Sequence, residues 1–436
     1  MKSLLLLSCL CLSTLAWSAP HLPSQSAEAL DQQLAATLQS LSDGNMAEAR
    51  ILSRQAARAF PRSALAQLLA AELGASAAHR QVLAGGEAAD HNRRLQALLL
   101  EARARLHDRP SPDKGLLPDQ LPGDVIQLGK AVSALLVVDL ADSSMHHLGV
   151  SAGVPTLIQQ HYVGSGKAGY GKRVEGDNKT PLGIYQINDY RPDASLPELY
   201  GAGALTLNYP NALDRHLGRT GSGIWLHGVP HGQRSRSPRS SEGCVTMSND
   251  HFDALYQRLY GNHTPLNSDA AKPTGTSAPL VMLTHDIQWR DAHDRQREQL
   301  AFQALFERYQ QAWRDDDQST LRDLYASPER LQRQLDQTPS ARSMAFAQLQ
   351  TVDKRDISIF HNPSRADPAD VGTDKGVAVA APLSRHNAEA AAAYQREIVM
   401  YMRTGESSEH QLTLYWGQNL QGQWQLLTEQ WDGISS

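Results

Sequence analysis

Leucines recur at helical spacing near the start of the chain. One face of a predicted helix carries Leu30, Leu34, Leu38 and Leu41. Gly44 breaks this pattern, residues 47–60 restart it, and a further Ala- and Leu-rich helix follows Pro61. The sequence therefore predicts a helical region over residues 19–115. It resembles a tetratricopeptide unit of which one copy is visible, and a plain helical hairpin or small bundle is the alternative.

The pattern changes to short apolar runs bounded by Gly, Pro and Asn between residues 120 and 290. Such runs predict strands near 134–140, 156–164, 183–188, 204–208, 223–226 and 280–284. Residues 249–260 carry an apolar stripe at helical spacing, and residues 262–278 are typical of a surface loop. The middle of the chain is therefore predicted to be a β-rich domain.

Helices followed by strands are predicted for residues 296–436. An amphipathic helix carries Phe302, Leu305, Phe306, Tyr309 and Trp313, and strands follow near 396–403, 411–417 and 423–431. Helices first and strands afterwards favour an α+β domain. The whole chain is thus predicted to be a multidomain α+β protein with helical, β-rich and α+β parts.

The first 18 residues have the pattern of a secretory signal peptide. Lys2 precedes an uncharged, Leu-rich run over residues 3–15, and small residues suited to cleavage follow at Ala16 and Ser18. A lipoprotein signal that uses Cys9 is disfavoured, because so early a cysteine leaves almost no apolar core. No later stretch has the roughly 18 apolar residues that a membrane span needs. We therefore predict an exported, periplasmic protein.

Charge and cysteine content narrow the function classes. The 41 basic and 46 acidic residues give a net charge of −5, which excludes a chain that binds nucleic acid over its whole surface. Three cysteines make zinc modules and disulfide frameworks improbable. Removal of the signal peptide would leave only Cys244, which is then either inert or chemically used. No cofactor is indicated.

Candidate chemistry centres on His227 and Cys244. His227 follows a predicted strand, Cys244 follows Gly243, and a polar loop between them lets the chain return. An imidazole beside a thiol can take its proton, and backbone N–H groups near Gly243 can stabilise an oxyanion. A structural cysteine with a core histidine is the alternative. Zinc binding with His231 is disfavoured, because the spacing spans Gly and Pro and no second cysteine is near.

The same residues resemble the active-site signature of the YkuD-type L,D-transpeptidases. His227-Gly228 and Ser241-x-Gly243-Cys244 match it, and two further stretches support the match. Residues 167–185 end in the Thr-Pro-x-Gly pattern before a strand, and residues 205–227 carry the Asn-Tyr-Pro and Gly-x-Gly-Ile patterns. The resemblance covers about residues 125–287.

The resemblance implies an enzyme that acts on peptidoglycan in cell-wall biogenesis and cell shape. Cys244 is expected to attack a tetrapeptide stem and form a thioester, with His227 as the base and then the acid. Gly228 and Gly243 are expected to orient the catalytic side chains or to bind the oxyanion. The acceptor stays open among a diaminopimelate amine, a protein lysine and water. A thiol hydrolase that trims stems or releases wall-bound protein, and a non-catalytic envelope scaffold, remain the alternatives.

Substrate contacts are predicted at Ser241, Asn208, Trp225 and Arg239. Arg239 belongs to a basic segment that suits carboxylate-bearing stems, although a solvated loop explains it equally well. The segment, residues 211–241, has one acidic residue, Asp214, and five arginines: Arg215, Arg219, Arg234, Arg236 and Arg239.

Two residues of the catalytic signature depart from the family. Glu242 stands where many members have His, and Thr246 stands where many have Arg, which leaves acceptor choice in doubt. The C-terminal region resembles the SnoaL-like, nuclear-transport-factor-like cones through Tyr309, Trp313, Leu324, Tyr325 and residues 424–431. We expect the flanking domains to be binding or positioning modules for envelope partners.

Overall fold

A computed structural model describes residues 27–74, 120–233, 235–261, 278–336, 349–363, 394–404 and 410–432. The predicted signal peptide, the second half of the N-terminal region and most of the predicted loop over 262–278 lie outside these residues. Within the described part of the chain, no helix has the length and apolar character needed to cross a membrane.

The N-terminal residues form helices, as predicted. These are α1 (Ala27–Ser42), α2 (Met46–Ala59) and α3 (Ala64–Gly74). Asn45 caps α2 by accepting a hydrogen bond from the Glu48 N–H, which satisfies one of the free donors of the first turn. The three helices enclose a small core of their own, built from Leu30, Leu34, Ala56, Phe60, Leu65, Ala66 and Leu69. The tetratricopeptide likeness stays a prediction.

The central part of the chain is β-rich, as predicted. Its strands are β3 (Val132–Asp139), β4 (Ser144–Ser151), β5 (Val154–Tyr162), β6 (Ser165–Gly166), β7 (Gly183–Pro192), β8 (Gly203–Leu207), β9 (Trp225–His227), β10 (Arg239–Ser241), β11 (Val245–Thr246) and β12 (Ala278–Thr284). The eight-stranded sheet has the order β11-β9-β8-β7-β12-β3-β4-β5, and β10 pairs with β6 beside it. Two helices connect these strands, α4 (Ala212–His216) and α5 (Asn249–Tyr260).

The central strand β3 is apolar on both faces because it separates two cores. Leu136 and Val138 belong to a core that includes Phe252 and Leu255 of α5. Leu135 and Val137 point the other way, into a second core. Side chains alternate between the faces of a strand, so a continuous apolar run is expected wherever both faces are covered.

The C-terminal part combines helices with an antiparallel sheet. Its helices are α6 (Ala292–Arg314), α7 (Gln318–Leu324) and α8 (Pro328–Leu335), and its strands are β14 (Ser358–His361), β15 (Tyr394–Thr404), β16 (His410–Asn419) and β17 (Trp424–Asp432). The helices bury Phe306 and Tyr309 against the sheet residues Trp416 and Leu414. The observed helices and strands agree with the α+β prediction, whereas the SnoaL-like cone remains a prediction.

A short strand from the predicted catalytic domain completes the C-terminal sheet. Strand β2 (Val125–Gln127) pairs with β14 and forms the edge of a five-stranded sheet in the order β17-β16-β15-β14-β2. A second link joins β1 (Leu121–Pro122) to β13 (Trp289–Arg290). The Gln127 side-chain carbonyl also accepts hydrogen bonds from Gln299 and Gln303 of α6, at 2.9 and 2.6 Å.

The central and C-terminal parts share one hydrophobic core, which we call the junction core. From the central sheet it includes Leu135, Val137, Leu280 and Met282, and from the C-terminal sheet Phe360, Val399, Tyr401, Tyr415 and Leu427. The Arg330 guanidinium adds a polar link, donating to Thr428 at 2.9 Å and to His216 Nδ1 of α4 at 3.2 Å. The two parts therefore pack as one unit, with the C-terminal sheet covering one face of the central sheet.

Candidate active site

Two adjacent parallel strands bring His227 and Cys244 together. Leu226 of β9 lies opposite Val245 of β11, and His227 lies opposite Thr246. Leu226 and Val245 both face the core that contains α5. Because side chains alternate along a strand, His227 and the residue that precedes β11, Cys244, lie on the other face.

The His227 imidazole is buried and fixed in one tautomer. Its Nδ1 lies 2.7 Å from the Gly228 carbonyl oxygen, which can only accept, so Nδ1 carries the proton and Nε2 is left as the basic nitrogen. The chain around Gly228 leaves no room for a side chain, since a Cβ there would lie 2.1 Å from Asn249 Oδ1. That Oδ1 accepts from the N–H groups of Ala202 and Val229, both at 3.0 Å, and so holds the turn after His227.

Ser241 organises the turn that presents Cys244. Its Oγ donates to the Cys244 carbonyl at 2.6 Å and accepts from the Gly243 N–H at 3.1 Å. The Gly243 N–H is therefore engaged inside the turn. The Gly243 carbonyl in turn accepts from Thr180 Oγ1 at 3.0 Å, which ties the turn to the neighbouring loop.

Position 243 requires glycine for two reasons, its backbone conformation and the closeness of neighbouring atoms. Its φ of +132° is a conformation that residues with a side chain rarely adopt. A Cβ at this position would also lie 2.8 Å from the Lys179 carbonyl oxygen. The segment over residues 172–179 that supplies this carbonyl is held by a buried ion pair, Lys172 Nζ to Asp177 Oδ1 at 2.8 Å. Asp177 also accepts from three backbone N–H groups of the same segment.

The Cys244 thiol and the His227 imidazole are both neutral at rest. The half-buried thiol donates to the Gly223 carbonyl at 3.3 Å. Burial raises the pKa of Cys244 to about 11, against the opposing effects of the Trp225 N–H and of the Lys172 and Arg236 charges. Burial likewise lowers the pKa of His227 to about 4. At pH 7 the pair is therefore a thiol beside an unprotonated base, rather than a thiolate–imidazolium ion pair.

Tyr200 is a neighbour of this pair that the sequence analysis missed. Its ring packs edge-on against His227, with centroids 4.9 Å apart, and lies tilted against the Trp225 ring, with centroids 5.0 Å apart. Burial raises the pKa of the Tyr200 phenol, and so do the ionised form of Cys244 and the Glu242 carboxylate. The sequence does offer one signal for Tyr200: it stands next to Gly201 in the turn before β8. Loops at strand ends often carry binding and catalytic residues.

The other predicted site residues lie in different places: in the sheet, at the edge of the Cys244–His227 pair, or on the surface. Asn208 is part of the sheet, since its Oδ1 accepts from the Gln186 N–H at 2.9 Å. Trp225 is half-buried and carries the Arg191 guanidinium on its ring, 5.6 Å from the centroid. Arg239 is exposed on β10. Thus Ser241 and Trp225 border the Cys244–His227 pair, whereas Asn208 supports the strands behind it.

The predicted basic segment is smaller than its sequence suggests. Arg219 is withdrawn from the surface by a buried ion pair with Asp214, at 2.7 Å, and Arg234 lies outside the described residues. Arg236 is half-buried and donates to the Ser240 carbonyl at 3.3 Å. Within the described ranges, no three His, Cys, Asp or Glu side chains come together in a group able to hold a metal ion.

A comparison with protein families finds a match for the central part of the chain. Residues 133–279 match the family model of the L,D-transpeptidase catalytic domain, YkuD. These residues form a YkuD domain. It contains the whole Cys244–His227 pair, the Ser241 turn and the 172–179 segment, and its β-rich sheet is the one predicted from the sequence.

Relatives of the YkuD domain are distant. YafK of Escherichia coli strain K12, named as a candidate L,D-transpeptidase, is 30% identical over 92 residues, which is 21% of this chain and 32% of YafK. The protein of the same name from E. coli O157:H7 matches equally. The chain thus spans about a third of the length of these curated relatives.

Solved structures give a broader but weaker likeness. Bd1075 of Bdellovibrio bacteriovorus is 18% identical, covers 73% of this chain and 100% of its own, and has a TM-score of 0.45. Pgp2 of Campylobacter jejuni, described as a helical cell shape determining protein, is 19% identical, covers 72% and 94%, and has a TM-score of 0.43.

Proposed function

We propose that the protein is a thiol-dependent L,D-transpeptidase that acts on peptidoglycan tetrapeptide stems in the periplasm. The observation that carries this proposal is the fixed tautomer of His227 on the strand beside Cys244, inside a YkuD domain. Peptidoglycan as the substrate follows from the family. The exported location rests on the N-terminal sequence pattern and is part of the proposal.

Acylation begins with proton transfer from sulfur to nitrogen. The Cys244 thiol is protonated at rest, so His227 Nε2 takes its proton as sulfur attacks the diaminopimelate carbonyl carbon of the stem. A C–S bond forms, and the carbonyl becomes a tetrahedral oxyanion. When the C–N bond to the terminal D-alanine breaks, His227 returns the proton to the leaving amine. The product is a thioester on Cys244 and free D-alanine.

The turn around Cys244 supports stabilisation of the oxyanion by its own backbone. Because Ser241 Oγ already engages the Gly243 N–H, we assign the oxyanion to the N–H of Cys244 itself, with the Gly243 turn holding its direction. Gly228 orients His227 through its carbonyl, and Ser241 orients the turn. Tyr200 and Trp225 form an aromatic wall for the stem beside Cys244.

Covalent labelling tests this assignment directly. Purified protein incubated with a carbapenem is expected to gain the mass of one inhibitor molecule, and Cys244→Ala is expected to gain none. Incubation with disaccharide tetrapeptides should release D-alanine. An adduct that persists in Cys244→Ala, or a wild-type protein that releases no D-alanine, would contradict the proposal. In the latter case the non-catalytic scaffold becomes the better reading.

A further inference from the structure

Arg191 lies in the same cross-strand row as His227. Arg191 of β7 is opposite Ala204 of β8, and Ala204 is opposite His227 of β9. Residues paired across adjacent strands project to the same face of a sheet, so Arg191 shares the face that carries His227. The preceding residue, Tyr190, points into the core on the other face, as alternation along β7 requires. Two strand spacings of about 4.8 Å separate Arg191 from His227, so their Cα atoms are about 10 Å apart.

The Arg191 guanidinium is held on an aromatic wall that continues to the Cys244–His227 pair. It lies 5.6 Å from the centroid of the Trp225 ring. The Tyr200 ring contacts both Trp225 and His227, with centroids 5.0 and 4.9 Å apart. The same stretch of chain contacts the thiol, since Cys244 Sγ donates to the carbonyl two residues before Trp225. Stacking on a ring positions a guanidinium without using its N–H donors.

The N–H donors of the Arg191 side chain are unused within the described part of the chain. The side chain is exposed, and no carboxylate or carbonyl of the described residues pairs with it. Asp193, two residues further along, is instead paired with His231 at 3.0 Å. In the basic segment predicted to bind carboxylates, Arg219 and Arg236 are by contrast occupied by other groups of the chain. A free guanidinium offers the planar fork of donors that binds a carboxylate through two parallel hydrogen bonds.

We propose that Arg191 binds a side carboxylate of the donor stem, either the α-carboxylate of its glutamate or the distal carboxylate of its diaminopimelate. The inference rests on the proposed function and deepens it, since it concerns how that site recognises its donor. The terminal carboxylate fits less well, because it adjoins the nitrogen that leaves and must lie beside Cys244 and His227. The side carboxylates stand several bonds from the attacked carbon, which suits a guanidinium two strands from His227. Arg191 is then a specificity-determining residue that selects stems with a free side carboxylate over amidated stems.

The test compares full-length wild type with Arg191→Gln on four donors. One is a disaccharide tetrapeptide with every carboxylate free, and the others are amidated at the glutamate, at the distal diaminopimelate carboxylate or at the terminal D-alanine. Release of D-alanine or D-alaninamide gives kcat and KM. On the free donor, Arg191→Gln is expected to raise KM about tenfold, the size of one charged hydrogen-bonded pair. The kcat should change little, because the contact lies away from the reacting atoms. On the donor amidated at the bound carboxylate, wild type should show the same rise and Arg191→Gln no further one.

Three controls separate carboxylate recognition from general damage. Arg191→Lys should give a KM between those of wild type and Arg191→Gln, because lysine keeps the charge but loses the paired donors and the flat stacking. Arg258→Gln removes an exposed arginine from α5, which packs on the other face of the central sheet, and should leave every KM unchanged. Iodoacetamide is uncharged, so it should alkylate Cys244 at the same rate in all these variants if the site is intact.

The four donors also separate the possible failures. An unchanged KM in Arg191→Gln, with normal D-alanine release, would overturn the role of Arg191 and leave the proposed function standing. An equal rise on all four donors would overturn it too, because it would show a purely structural effect. A rise that disappears only on the donor amidated at D-alanine would place the guanidinium at the leaving group, against the proposal. Absence of D-alanine release from the free donor by wild type would overturn the proposed function itself.

Discussion

The resting protonation state of Cys244 can be measured from the pH dependence of its alkylation. Only the thiolate reacts with iodoacetamide, so the rate follows the thiolate fraction. With the pKa of Cys244 at about 11, about one thiol in 10⁴ is ionised at pH 7. An ordinary cysteine, with a pKa of about 8.5, is about 3% ionised at the same pH. The smaller thiolate fraction slows alkylation about 300-fold, and the greater nucleophilicity of a high-pKa thiolate offsets about tenfold of this, so Cys244 should alkylate about 30-fold more slowly than an ordinary cysteine.

The full profile distinguishes a neutral pair from a preformed ion pair. Between pH 6 and pH 10 the alkylation rate should rise about tenfold per pH unit with no plateau, because the midpoint lies above this range. The assay is intact-mass measurement at timed intervals, with Cys244→Ser as the blank and an unstructured peptide that contains one cysteine of ordinary pKa as the reference. A plateau that begins below pH 8 would refute the reasoning, since it would mean that His227 already holds the proton.

Replacement of His227 should slow acylation strongly and change the alkylation rate little. Neutral imidazole does not stabilise a thiolate by charge, so His227→Ala should change the alkylation profile little. Acylation by a carbapenem should fall about 10²- to 10⁴-fold, the usual contribution of a general base. Because burial lowers the pKa of His227 to about 4, its base form persists as the pH falls, and wild-type acylation should lose its imidazole contribution only near pH 4 rather than near 6.5. Loss centred near pH 6.5 would show that His227 is not in the neutral, buried environment described.

Four further substitutions test the surroundings of the site. Ser241→Ala leaves the buried Gly243 N–H without its acceptor, and should cost about 1–3 kcal/mol in urea unfolding and slow acylation. Gly243→Ala should slow carbapenem acylation with circular dichroism unchanged, because its φ and the Lys179 carbonyl both oppose a Cβ. Asp177→Ala strands the buried Lys172 charge and should cost about 3–5 kcal/mol, whereas the double variant Lys172→Met with Asp177→Leu should unfold close to wild type. Phe360→Ala should cost about 3–5 kcal/mol and lower the unfolding midpoints of the central and C-terminal parts together, as followed by hydrogen exchange; separate midpoints would contradict a shared core.

Local patterns in the sequence predicted much of the architecture. The apolar run in β3, the stripe of α5 and the three long C-terminal strands each have a period that reports local structure directly. The sequence predicts His227 and Cys244 as site residues because each stands in a glycine-containing turn with a spaced signature. Each of these features is determined by residues close to it in the sequence, so it can be read from one sequence alone.

The remaining features depend on contacts between distant residues. Tyr200 reaches His227 only because the turn before β8 folds back over β9, and no spacing rule encodes that approach. The sequence predicts Arg219 to be a surface charge, yet Asp214 is buried within the capping box of α4 and pairs with Arg219 there. Strand β2 has three residues, too few to show which of two sheets it would join.

The path of the chain has a consequence for biogenesis. Strand β2 is made early, but its partner β14 begins at Ser358, after the whole YkuD domain has been synthesised. The central sheet is thus inserted in sequence between two members of the C-terminal sheet. Its apolar face, with Leu135 and Met282, shares a core with Leu213 of α4, but the rest of that core comes from Phe360 of β14 and from strands β15 to β17. A nascent chain that stops after β12 would leave part of that face exposed to water, so the catalytic part needs the last third of the polypeptide to complete the burial of its own sheet.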